Sequence, residues 1–158
     1  MKFTSGITRV VLADAFPICL KGAQIELSRI EGAYVVACAF SSTQLFDLLG
    51  EHECDVLVSE YDMSGSGIGD GLGMFKRIRE QYPGLKLVVL TAICNPVLLS
   101  ALEDLGVHTM VSKRDQPEHM RRALHAALRS EAYLSPEIQA ARQARPVKGH
   151  SDRIDMPT

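Results

Sequence analysis

Five side chains of this sequence could do chemistry together: Asp14, Glu60, Asp62, Thr91 and Lys113. Each is the first polar residue, or close to it, after a short apolar run, although Asp14, Glu60, Thr91 and Lys113 stand 46, 31 and 22 residues apart. Clustered carboxylates oppose one another's ionisation unless a cation sits among them, and an oxygen-only set of acids suits Mg²⁺. Lys113 could supply that positive charge instead. A hydroxyl and an ammonium facing a carboxylate are also the groups needed to hold a phosphoryl group carried on that carboxylate.

For these residues to meet, the apolar runs before them must lie side by side. The runs Arg9–Ala13, Tyr34–Cys38, Asp55–Ser59, Lys86–Thr91 and Thr109–Ser112 are rich in Val, Leu or Ala and free of Pro and Gly. Near-continuous apolar strands fit a parallel sheet covered on both faces. Helical patterns lie between and after them. Phe16, Leu20, Ala23, Leu27 and Ile30 form one stripe behind Pro17, and Ser41 or Ser42 can cap a helix carrying Leu45, Phe46, Leu48 and Leu49. Asp70 can cap a third helix, stopped by Pro83-Gly84; Asn95-Pro96 and Gln116-Pro117 open a fourth and a fifth. The pattern is (βα)5, an α/β doubly wound parallel sheet of flavodoxin type in strand order 2-1-3-4-5, which gathers the strands' C-terminal ends into one crevice.

Composition narrows the function classes. The 158 residues carry 17 Lys+Arg against 19 Asp+Glu, a formal charge of −2, so the chain as a whole has no electrostatic case for gripping DNA by itself. The N-terminus lacks the roughly 7–15-residue apolar run of a signal peptide, and no stretch approaches about 18 apolar residues, so a cytoplasmic protein without membrane attachment is expected. Cys19, Cys38, Cys54 and Cys94 are spread singly and read as buried thiols of a reducing compartment. The five His residues are scattered without metal-ligand spacing. Gly65-Ser66-Gly67-Ile68-Gly69-Asp70-Gly71 follows a strand as a dinucleotide-binding loop would, but its third glycine falls out of register, which weakens a flavodoxin-like nucleotide or ligand binder as an alternative.

The segments Val11-Leu12-Ala13-Asp14, Val56–Met63, Val88-Val89-Leu90-Thr91-Ala92 and Met110-Val111-Ser112-Lys113 resemble the signature blocks of bacterial response-regulator receiver domains. Ala13–Pro17, Asn95-Pro96 and Tyr133-Leu134-Ser135-Pro136-Glu137 are most similar to the NarL/FixJ class, its RcsB-like members in particular. The resemblance implies that Glu60 stands at the phosphoacceptor position, that Thr91 and Lys113 are the residues that contact a phosphoryl group, and that Asp14, Glu60 and Asp62 are what remains of a Mg²⁺ site. Two departures matter. The family's second acid after strand one is Ala15 here, and its acceptor Asp is Glu60, longer by about 1.5 Å. The family's aromatic switch position, two residues before Ser112, is Met110.

The expectation is therefore an atypical receiver with a degenerate phosphorylation site, with no cofactor or weakly bound Mg²⁺, acting by protein–protein association. A conventional phosphoacceptor served by a histidine kinase, directly or through a phosphotransfer protein, is the alternative. Expected partners are a second copy or a related regulator, with DNA reached only through a C-terminal helix-turn-helix domain outside this sequence. Residues 1–130 are assigned to the receiver and 131–158 to a short helix, at Glu137–Gln143, and a linker; the ending Arg153–Thr158 resembles the approach to such a domain.

Overall fold

The computed structural model describes residues 6–63 and 71–144. Strands β1 (Thr8–Ala13), β2 (Ala33–Ala39), β3 (Val56–Ser59), β4 (Lys86–Thr91), β5 (Thr109–Ser112) and β6 (Tyr133–Leu134) alternate with helices α1 (Pro17–Ser28), α2 (Ser42–Glu51), α3 (Gly71–Gln81), α4 (Pro96–Asp104), α5 (His119–Leu128) and α6 (Pro136–Gln143). All strand pairs are parallel, in the order β2-β1-β3-β4-β5-β6. The expected order 2-1-3-4-5 is present, with a sixth strand added at the β5 edge.

Successive side chains of a strand point to opposite faces, and here both faces are covered, which is why the strands read as unbroken apolar runs. Val10, Leu12, Val56, Val58, Val88 and Val111 pack under α1 and α5 with Leu20, Leu27 and Leu124. Val11, Leu57, Leu87, Val89 and Met110 pack on the other face with Leu45 of α2, Phe75 and Ile78 of α3, Leu99 and Leu102 of α4, and Ile138 of α6.

The local signals act as their chemistry requires. Ser41 Oγ accepts from Gln44 N–H, and Asn95 Oδ1 accepts from Val97 and Leu98 N–H, so both side chains satisfy otherwise orphaned helix donors. Gly106 ends α4 at φ +80°, a conformation that favours glycine. The cap expected at Asp70 and the glycine-rich segment up to Gly69 lie outside the described residues. Three expectations are corrected. Phe16 is 56% exposed rather than inward, because α1 begins one residue later and Phe16 remains in its extended N-cap. Helix α5 begins at His119, two residues beyond Pro117. The four cysteines are free but only partly buried; burial nevertheless pushes the Cys54 thiol up to about 11 and raises that of Cys38 against the pull of Lys21.

The boundary drawn after residue 130 does not coincide with the edge of the packed core. Tyr133-Leu134 adds to the sheet, and α6 lies across α4 and β5, with Ile138 fully buried and Arg142 paired with Glu103. The short helix expected from Glu137 runs Pro136–Gln143. Its single buried apolar anchor was hard to see in the sequence, because Ile138 is the only large apolar residue of the segment. Ile138→Ala should lower the urea midpoint with an unchanged slope, corresponding to about 2–4 kcal/mol for a fully buried residue of this size.

Candidate functional site

Strand register places the reactive ends. Ala13 pairs with Ser59, so the next residues, Asp14 and Glu60, emerge side by side; Thr91 pairs with Ser112, so Lys113 follows beside them. The turns are held by backbone bonds: Asp14 N–H to Ala39 O, Glu60 N–H to Ala13 O at 2.8 Å, and Lys113 N–H to Thr91 O at 2.9 Å.

Lys113 Nζ stands 2.6 Å from Asp14 Oδ2 and 2.5 Å from Glu60 Oε2. Asp14 is 4% exposed and Glu60 5%. Each carboxylate uses its other oxygen on backbone donors: Asp14 Oδ1 accepts from Phe16 N–H, and Glu60 Oε1 accepts from Tyr61 N–H at 2.9 Å and Asp62 N–H at 3.3 Å. Burial by itself would lower the Lys113 pKa, but the hydrogen bonds and charges of Asp14 and Glu60 outweigh it and hold the ammonium above its ordinary value. The ring of Phe16 lies 6.0 Å from Nζ, on the rim.

Of the five residues singled out in sequence, three form this cluster. Thr91 is fully buried beside it, with its hydroxyl accepting from Ile93 N–H. Asp62 is exposed and brings its backbone N–H, not its carboxylate, to the site. The backbone donors of Tyr61 and Asp62 escaped sequence reasoning, since any residue type could supply them.

A divalent cation fits these residues poorly. Ala15 offers no oxygen in its side chain, the two converging carboxylates already share the Lys113 ammonium, and among the described residues no group of three or more His, Cys, Asp or Glu could hold a metal.

The response regulator receiver domain model matches residues 10–135, most of the chain. The chain belongs to this family. Among curated relatives, the receiver is 31% identical over 148 residues to the transcriptional regulatory protein RcsB of Escherichia coli K12, covering 94% of this chain and 68% of RcsB. Among solved structures, it is similar to the isolated REC domain of RcsB from Salmonella enterica serovar Typhimurium with the phosphomimetic BeF3−, at TM-score 0.81 and 32% identity over 86% of this chain and 99% of that one. It also matches an RcsB–DNA complex at TM-score 0.82 and 31% identity, covering 87% of this chain and 68% of that one. No helix among the described residues of the receiver is long and apolar enough to cross a membrane.

The raised Lys113 pKa has a defined consequence for stability. A lysine whose folded pKa lies above its unfolded value of ~10.4 contributes stability that is fully present below that pH and is lost as pH rises through the folded pKa. The difference in melting temperature between wild type and Lys113→Met should therefore persist up to about pH 9.5 and shrink as pH rises above ~10.4. Thermal unfolding followed by circular dichroism across that range checks it.

Proposed function

We propose that this receiver is an atypical one, which maintains its signalling arrangement with fixed charges in place of an acquired phosphoryl group. The observation that carries the reading is the single Lys113 ammonium shared by two buried carboxylates, Asp14 and Glu60. The extra length of Glu60 sends its carboxylate outward to Lys113 and back onto the N–H groups of Tyr61 and Asp62, the kind of donors a phosphoryl group on a shorter Asp would require. The imitation is partial, since a phosphoryl group brings about −1.5 to −2 charge and three acceptor oxygens, and a carboxylate one charge and two oxygens. Mg²⁺ binds weakly or not at all, with Asp14 and Glu60 as a vestigial set.

Its work is protein–protein association within a transcriptional regulator of two-component type, as a homodimer or with a related regulator, and DNA is engaged through a separate C-terminal domain. Support comes from the relatives: RcsB is a transcriptional regulatory protein, and one solved structure holds two RcsB dimers on two parallel DNAs. One observation favours the conventional reading, in which a histidine kinase or phosphotransfer protein supplies phosphate to Glu60 or Asp62. Thr91 and Lys113 are both in place, and Asp62 is exposed.

Incubation with Mg²⁺ and acetyl phosphate, followed by intact mass, separates the readings. Wild type should gain no stable phosphoryl mass. Glu60→Asp alone should label poorly, because Ala15 still leaves the incoming phosphoryl oxygens without the metal ligand that neutralises them. Glu60→Asp with Ala15→Asp should label at least about tenfold more than the product of the single effects, the behaviour of residues acting as one unit. Wild type labelling as readily as the double variant would establish a working phosphoacceptor.

A further inference from the structure

Ser135 stands at the N-cap of α6, yet its side chain does not cap that helix. Its hydroxyl, fully buried, instead accepts from Ser112 N–H at 2.8 Å, at the end of β5. The helix is capped from elsewhere: Glu137 N–H donates to Asp115 Oδ2 at 3.0 Å. Asp115 belongs to the β5–α5 loop and is two residues from Lys113, and its backbone N–H is fixed to Ser112 O. A single four-residue stretch, Ser112–Asp115, is thus bonded on one side to Asp14 and Glu60 and on the other to the start of α6.

The energetics make α6 sensitive to that stretch. An eight-residue helix is marginal by itself, so its population rests on tertiary anchors and on satisfaction of its first-turn donors. Here the anchors are Ile138 and the Arg142–Glu103 pair, and the carboxylate at the N-terminus, where it also complements the helix dipole, comes from Asp115. The cap acceptor Asp115 shares its loop with Lys113, and that loop leaves the sheet at the Ser112 donor.

We propose that α6 is the readout element of this receiver: Asp115 and Ser135 are positioning residues that couple the Asp14–Lys113–Glu60 cluster to the docking of α6, and so to the chain that follows. The identity of the signal rests on the fixed-charge reading above; the mechanical link does not. By linkage the coupling runs both ways, so loosening α6 must loosen the Lys113 loop.

Amide hydrogen exchange on the full chain, without phosphodonor, tests it. Asp115→Ala should speed exchange across residues 138–142 by about fivefold, the factor that loss of an ordinary N-cap produces, with α2 unchanged. Asp115→Asn, which keeps an acceptor oxygen, should restore most of the protection. Lys113→Met, or Glu60→Gln if that variant fails to fold, should speed exchange in both 113–117 and 138–142. Ile138→Ala should in turn speed exchange in 113–117. The proposal is overturned if Asp115→Ala leaves 138–142 within twofold of wild type, if the cluster variants move 113–117 without α6, or if every helix accelerates alike. Phosphoryl labelling of wild type would refute the fixed-charge reading and leave this exchange pattern unaffected.

Discussion

One partly buried ammonium between two buried carboxylates ties together the three loops that follow β1, β3 and β5. Two carboxylates this close would oppose each other's ionisation, and Lys113 is what allows Asp14 and Glu60 to share a pocket with so little access to water. Removing one partner of such a pair leaves a buried charge uncompensated, which costs more than the pair contributes over an apolar alternative. The cluster therefore constrains more than it stabilises: it links three loops whose height the strand registers have already set.

Glu60 and Ala15 are consistent with one another under that constraint. A carboxylate carried outward by an extra methylene reaches both the lysine and the backbone donors of its own loop, while a second acid at position 15 would add negative charge to a cluster that already has one cation for two anions. Met110, at the position where the family carries its aromatic switch, is fully buried beneath the sheet's α6 side and pairs with Leu134. Met110 offers no aromatic ring at that position. The polar bridges around Ser112, Asp115 and Ser135 occupy the same edge of the sheet.

The two edges of the sheet differ. At β5 the unpaired backbone groups are covered by β6, and α6 closes over them with Ile138 and the Arg142–Glu103 pair. Covering an edge in this way removes a template for unwanted strand pairing. At the other side β2 remains the outer strand, with Tyr34 56% exposed and only Ala39 fully buried along its length.

Much of this was written in local sequence. Five apolar runs with helical stripes between them fit a covered parallel sheet, because strands like Val10–Ala13 and Val56–Ser59 are apolar on both faces and helices are at hand to cover them. The polar residue after each run marks the crevice, so residue type and order alone single out Asp14, Glu60, Thr91 and Lys113. Tertiary structure decided what depends on distance rather than residue type. Lys113 bonds to both acids at once, Asp62 contributes a backbone N–H and not its carboxylate, and Ser135 gives its hydroxyl to β5 while Asp115 caps α6 from 22 residues away. Local pattern records which groups a segment offers; which partner satisfies them is settled when strands are registered and loops brought within hydrogen-bonding reach, a condition that no single segment contains.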